Sequence, residues 1–157
     1  MQEPVSAVLI GAGQRGSDVY GRYALQHPDQ LRFVAVAEPD APRRSRFADR
    51  HDLDQTQEFA AWQDLLAGPQ RAHVAFVCTQ DQQHTEPALA AMRAGYDVLL
   101  EKPMATTAEE CALLVHTSET LGRQLHISHV MRYTRHYSLM RDILQSGRLG
   151  QVVTVDH

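Results

Sequence analysis

Several things are scarce in this chain, and each scarcity removes a class of function. There are two cysteines in 157 residues, Cys78 and Cys111, both in apolar-rich segments and without pairing or metal-ligand spacing. That excludes a disulfide scaffold and reads as free thiols in a reducing compartment, so the cytoplasm is the expected location. Positive charge is also short: 15 Lys and Arg face 19 Asp and Glu, for a formal charge of −4. No basic stripe exists to follow a phosphate backbone, and no nucleic-acid partner is expected. The nine histidines are scattered and form neither HxxxH nor HExxH. His126 and His129 fall on an expected strand, where a separation of three sends them to opposite faces, so no metal site is expected. No apolar run approaches the roughly 20 residues of a membrane span. The opening "MQEPVSAVLIGAG" has no basic n-region, so no secretory leader is expected.

What is present is ordinary for a globular protein: 43% hydrophobic and 22% charged residues. The length suits one domain, or one domain with the start of another. Strand-length apolar runs alternate with segments of helical period, which predicts βαβ units and a parallel sheet. Strands are expected at 5–11, 31–38, 73–79, 97–101 and 125–130, with a short strand and short helix around Phe59 to Leu66. Helices are expected over 14–27, from about Ala41–Pro42, over 87–95, 107–122 and 137–146. Thr107 and Glu110 have capping-box spacing, and Gly95 and Gly122 suit helix exits. The closing "GQVVTVDH" alternates like a strand and has no hairpin partner in view, so the sequence reads as cut, not finished.

Gly11, Gly13 and Gly16 form G-x-G-x-x-G directly after the first strand and at the opening of a helix. That is the context dinucleotide chemistry needs. The first glycine permits a tight turn, the second lets backbone approach a pyrophosphate, and the third allows close helix–strand packing. Glu38 ends the second strand 22 residues beyond Gly16. A carboxylate there accepts hydrogen bonds from the adenine-ribose hydroxyls and repels a 2′-phosphate, favouring NAD. Arg43 and Arg44 follow closely and would instead neutralise such a phosphate, which keeps NADP as the alternative.

The run "DVLLEKPM" (97–104) puts Glu101, Lys102 and Pro103 at the end of an apolar strand. With "GAGQRG", Glu38, "CTQDQQHTEPALAAMRAGYDVLLEKPMA" and "SGRLGQVVTVDH" in this order, the chain resembles the N-terminal half of the Gfo/Idh/MocA oxidoreductases, over essentially its whole length. The resemblance implies a Rossmann-type doubly wound domain over 1–130. It also implies a connecting helix and the first strand of a C-terminal α/β domain over 131–157, with that further domain supplying most substrate contacts, catalytic groups and homo-oligomer contacts. It implies hydride transfer between NAD (or NADP) and a secondary alcohol of a sugar, inositol or other polyol. In that scheme Lys102 is the catalytic residue, lowering the alcohol's pKa and relaying its proton, and Pro103 fixes its turn, often through a cis bond. The cofactor-binding set is Gly11, Gly13, Gln14, Arg15, Gly16, Glu38, Thr79, Gln80, His84, Glu101 and Lys102, and Arg132 and Tyr133 are substrate candidates. The family pattern T-P-N-x-x-H is kept at Thr79 and His84, but Gln80 stands for its proline and Asp81 for its asparagine. Two alternatives remain: an NAD-dependent glycosidase of the same family, with which Arg15 is compatible, and a non-catalytic dinucleotide-sensing module. By itself, the 157-residue chain is expected to bind cofactor with little turnover.

Overall fold

The computed structural model describes residues 3–154. Within them six strands form one parallel sheet: β1 (Val5–Ile10), β2 (Leu31–Ala37), β3 (Glu58–Phe59), β4 (Val74–Val77), β5 (Asp97–Leu100) and β6 (Leu125–Ile127). Their order is β3-β2-β1-β4-β5-β6, so the chain leaves β1 in one direction, returns, and continues on the other side. That reversal between β1 and β4 opens a crevice at the carboxyl ends of the strands, where doubly wound sheets bind ligands. A π-helical segment (Gln14–Gly21) runs on into α1 (Arg22–Gln26). It is followed by α2 (Ala41–His51), α3 (Trp62–Leu66), α4 (Thr85–Arg93), α5 (Ala108–Leu121) and α6 (Arg135–Gln145).

Both faces of the central strands are buried, which is why these strands read as continuous apolar runs. Val8 and Ile10 join Ala75, Val77, Val98 and Leu100 under Leu65, Leu89, Met92 and Leu114 of α3, α4 and α5. Ala7 and Leu9 point the other way, with Phe33, Phe76 and Cys78, toward Ala24 of α1 and Phe47 of α2. Phe33 meets Phe47 and Phe76 edge-on, with ring centroids 5.4 and 5.2 Å apart. Truncating so buried an aromatic costs about 3–5 kcal/mol. The register of β1 on β2 slips between Ala7 and Val8, making Val34 the extra residue. Past it, Ala35 and Ala37 face the α3–α5 side although Phe33 faces α2.

Local chemistry sets the helix ends. Asp40 caps α2 by accepting from the Arg43 N–H at 2.9 Å, with Pro42 in the first turn, and the helix leaves through Asp52 at φ +59°. Thr107 caps α5 by accepting from the Glu110 N–H at 3.2 Å, and Gly122 takes the left-handed exit at φ +62°. The Glu110 carboxylate returns to the Thr106 and Thr107 hydroxyls. No bond to the Thr107 N–H accompanies them, so the expected box is formed only in its Thr107 half.

Three expectations differ from the structure. β6 ends at Ile127, so His129 is not a strand residue, and Val130–Tyr133 form a 3-10 turn. Helix α4 begins at Thr85, earlier than expected, because proline is tolerated in a first helical turn. Residues 150–154 form no strand, and the rest of that expected strand, 155–157, lies outside the described residues.

Candidate active site

The glycine-rich turn occupies the carboxyl end of β1. Gly11 adopts φ +95°, where a side chain would be strained and its Cβ would lie 2.6 Å from the Cys78 carbonyl oxygen. At Gly16 a Cβ would collide with the Gly11 carbonyl oxygen and press on Leu9, so helix and strand touch there. At Gly13 a Cβ would meet nothing within 4 Å. Neither conformation nor packing requires a glycine at Gly13; it lies on open space. The first N–H groups of the following helix have no acceptor within it, and they sit beside that space.

Glu38 follows β2 and is 6% exposed. Its Oε2 accepts from the Ala12 N–H at 2.8 Å and its Oε1 from the Asp40 N–H at 3.0 Å. Each carboxylate oxygen therefore keeps a lone pair for a further donor. Glu38 lines a cavity of about 750 Å³ together with Gly11, Gly13, Trp62, Thr79 and Gln80. Arg43 borders this cavity and a smaller one of about 250 Å³, where it meets Arg46 and Arg50. Arg44 is turned away: it donates to the Glu38 carbonyl at 2.6 Å and pairs with Glu58 at 3.9 Å.

On the other side of the crevice, β5 ends in Glu101, which is 4% exposed. Its Oε1 accepts from the Tyr20 hydroxyl at 2.6 Å and lies 3.5 Å from Arg15 Nε. Its Oε2 accepts from the Lys102 N–H at 3.1 Å. The Ser128 hydroxyl, beyond β6, bonds to the same phenol oxygen at 2.5 Å. Burial and the Glu101 hydrogen bond push the Tyr20 phenol well above its ordinary pKa. Burial, with Glu101 adding to it, likewise raises the Cys78 thiol, leaving it protonated and inert. The Lys102–Pro103 bond is cis, and the Lys102 side chain is exposed. Behind this turn, fully buried His84 has Nδ1 2.6 Å from the Pro103 carbonyl oxygen and Nε2 3.2 Å from that of Thr79. It ties the loop after β4 to the Lys102 turn.

A family model described as "Oxidoreductase family, NAD-binding Rossmann fold" (GFO_IDH_MocA) matches residues 5–129. The chain belongs to this oxidoreductase family. It is 28% identical over 152 residues to inositol 2-dehydrogenase of Salmonella typhimurium, covering 96% of this chain and 44% of that protein. It is 32% identical over 144 residues to trans-1,2-dihydrobenzene-1,2-diol dehydrogenase of Macaca fascicularis, covering 92% and 42%. The chain thus spans less than half the length of the relatives it matches. Its fold superimposes on the WlbA dehydrogenase from Chromobacterium violaceum, solved with NADH and UDP-GlcNAcA, with a TM-score of 0.86, 22% identity, and coverage of 96% of this chain and 42% of that one.

The groove of this family member fits the cofactor its family binds. Its volume lies in the range of small-molecule sites, open space at Gly13 admits a pyrophosphate, and Glu38 offers acceptors on the wall. Thr79 and Gln80 line the groove, and Gln14 lines the smaller cavity, whereas His84 lies behind the wall. Arg15 and Glu101 face each other between the groove and the Lys102 turn. Asp81 is exposed, Arg132 borders a separate cavity of about 390 Å³, and Tyr133 stands 86% exposed beyond it. The structure does not gather those last two with the groove residues. Among the described residues no cluster of three metal-ligating side chains occurs, and no helix is long and apolar enough to cross a membrane. Sequence reasoning passed over Tyr20 and Ser128, which lie 81 and 27 residues from Glu101 along the chain and carry no motif. Trp62, Arg46 and Arg50 were missed likewise, although the Arg43, Arg46, Arg50 spacing marks one helical face.

Proposed function

We propose that this chain is the cofactor-binding half of an NAD-dependent dehydrogenase that oxidises a secondary alcohol of a sugar, inositol or other polyol in the cytoplasm. The observation that carries the reading is the Arg15–Glu101 pair, 3.5 Å apart, which holds the glycine-rich turn beside the Lys102 turn at the carboxyl end of the sheet. Cofactor phosphates and the reacting alcohol are thereby assigned to neighbouring positions. The dehydrogenase relatives and the two free cysteines support the substrate class and compartment.

When bound, the nicotinamide supplies a two-electron hydride acceptor. The chain's own residues do the rest. Glu38, already held by two backbone N–H groups, accepts from the adenine-ribose hydroxyls and repels a 2′-phosphate, which favours NAD over NADP. Gly13 admits the pyrophosphate, and the helix N-terminus favours its charge. The Lys102 ammonium donates a hydrogen bond to the alcohol oxygen, stabilises negative charge there as the hydroxyl proton passes to water, and orients the carbinol hydrogen for transfer. Residues 1–130 form the dinucleotide domain, and 131–157 lead into a substrate domain of the longer protein, which also supplies oligomer contacts.

Lys102→Ala in the full-length enzyme tests this reading. General acid–base groups contribute about 10²- to 10⁴-fold, so kcat for polyol oxidation should fall by at least 10²-fold while NADH still binds. Undiminished turnover would remove Lys102 from the chemistry, and a wild-type enzyme that oxidises no polyol would remove the dehydrogenase reading.

A further inference from the structure

The structure assigns Tyr20 a role in positioning: its hydroxyl, bonded at once to Glu101 and Ser128, locks the Lys102 turn in register with the cofactor turn and thereby governs turnover, not cofactor affinity. The inference rests on the dehydrogenase reading and deepens it.

Tyr20 lies in the π-helical segment that follows the glycine-rich turn, and such wide turns recur at functional sites because they displace a side chain from its regular position. Its ring packs edge-on against Phe76 of β4, centroids 5.2 Å apart, which leaves the hydroxyl as its polar handle. One phenol proton serves two neighbours in a fixed order. Glu101 accepts it, so the Ser128 hydroxyl must donate to the phenol oxygen. The chain of donation runs Ser128 to Tyr20 to Glu101 Oε1, while Glu101 Oε2 holds the Lys102 N–H. Three separate pieces of chain meet there: the helix carrying the cofactor turn, the end of β5 and the end of β6. A buried carboxylate restrained by Tyr20, Arg15 and its own neighbour's N–H has one orientation, and Lys102 inherits it. Tyr20 does not line the groove, so its effect on the site passes through Glu101.

Tyr20→Phe keeps the ring against Phe76 and removes only the hydroxyl. In the full-length enzyme, kcat should fall about tenfold, the size of one hydrogen bond to a charged group, with the NADH Kd unchanged within twofold. Deuterium exchange of the Lys102 amide should quicken, whether or not the enzyme is turning over. Ser128→Ala should shift kcat the same way by less, and the double variant should be no worse than Tyr20→Phe, because both act through one chain of bonds. An unchanged kcat and unchanged Lys102 exchange, with only a lowered melting temperature, would overturn the assignment and leave Tyr20 a packing residue. If wild-type enzyme oxidises no polyol, the dehydrogenase reading fails, while the exchange comparison still decides whether Tyr20 holds the Lys102 turn.

Discussion

Replacing Gly13 by alanine separates a glycine kept for a ligand from one kept for the fold. Gly13 has φ −70° and ψ −166°, a conformation any residue adopts, and a Cβ there meets nothing within 4 Å. Two small effects on folding oppose each other. Alanine restricts the unfolded chain, worth about 0.4–1 kcal/mol in favour of folding, and it is a poorer helix N-cap than glycine by a similar amount. The net should lie within about 1 kcal/mol of zero, so Tm should move by no more than roughly 4 °C. Binding should respond differently. The methyl would project into the space Gly13 leaves open beside both cavities, where a pyrophosphate must reach backbone N–H groups. Losing one hydrogen bond to a charged group costs about 1.5–3 kcal/mol, or roughly 10- to 100-fold in Kd. Thermal melting paired with NADH fluorescence titration of the full-length protein measures both quantities. An unaltered NADH Kd in Gly13→Ala would refute the assignment of this turn to the pyrophosphate.

Three further outcomes follow from the same geometry. Gly16→Ala should behave oppositely to Gly13→Ala: its Cβ collides with backbone at Gly11 and with Leu9, so melting should show a loss of about 1–3 kcal/mol or more. His51, stacked on Phe47 at 4.2 Å, is held down to about pKa 4 by burial and by the neighbouring Arg50. The unfolded state therefore binds its proton near pH 6.5 and the folded state only near 4, so stability should fall as pH drops between those values and level off below. Full conversion of that shift gives about 3 kcal/mol, and solvent screening of this partly exposed ring reduces it to roughly 1–2; chemical denaturation of His51→Gln across pH 4–7 should lack that part of the slope. Ser128→Ala should leave NADH affinity within twofold of wild type, as measured by titration, because Ser128 lines neither the groove nor the turn.

Much of the fold was legible because both faces of a parallel sheet are buried and each central strand announces itself as an apolar run. β1, β2, β4 and β5 lie inside the expected segments, and the caps at Thr107 and Gly122 came from local chemistry. The sheet edge was less readable. β6 has one neighbour and stops after three residues, and the alternating tail forms no strand in residues 150–154. At the site, glycine spacing and Glu38 were visible because backbone geometry demands particular residues at fixed intervals. Arg44 illustrates the converse. In sequence it is equivalent to Arg43, yet its reach to Glu58 and the Glu38 carbonyl takes it out of the groove, and that depends on β3 pairing with β2. Tyr20, Ser128 and the buried bridge of His84 are likewise products of topology, joining residues distant in sequence that no local pattern connects.

The most direct test of the central claim is a titration of NADH and NADPH onto the full-length protein, followed by nicotinamide fluorescence and checked by calorimetry. A carboxylate fixed by two backbone N–H groups on the groove wall predicts that NADH binds at least tenfold more tightly than NADPH, and that Glu38→Ser narrows the gap. NADPH binding as tightly as NADH would hand specificity to the Arg43, Arg46 and Arg50 face instead. Binding of neither by the folded protein would contradict the account.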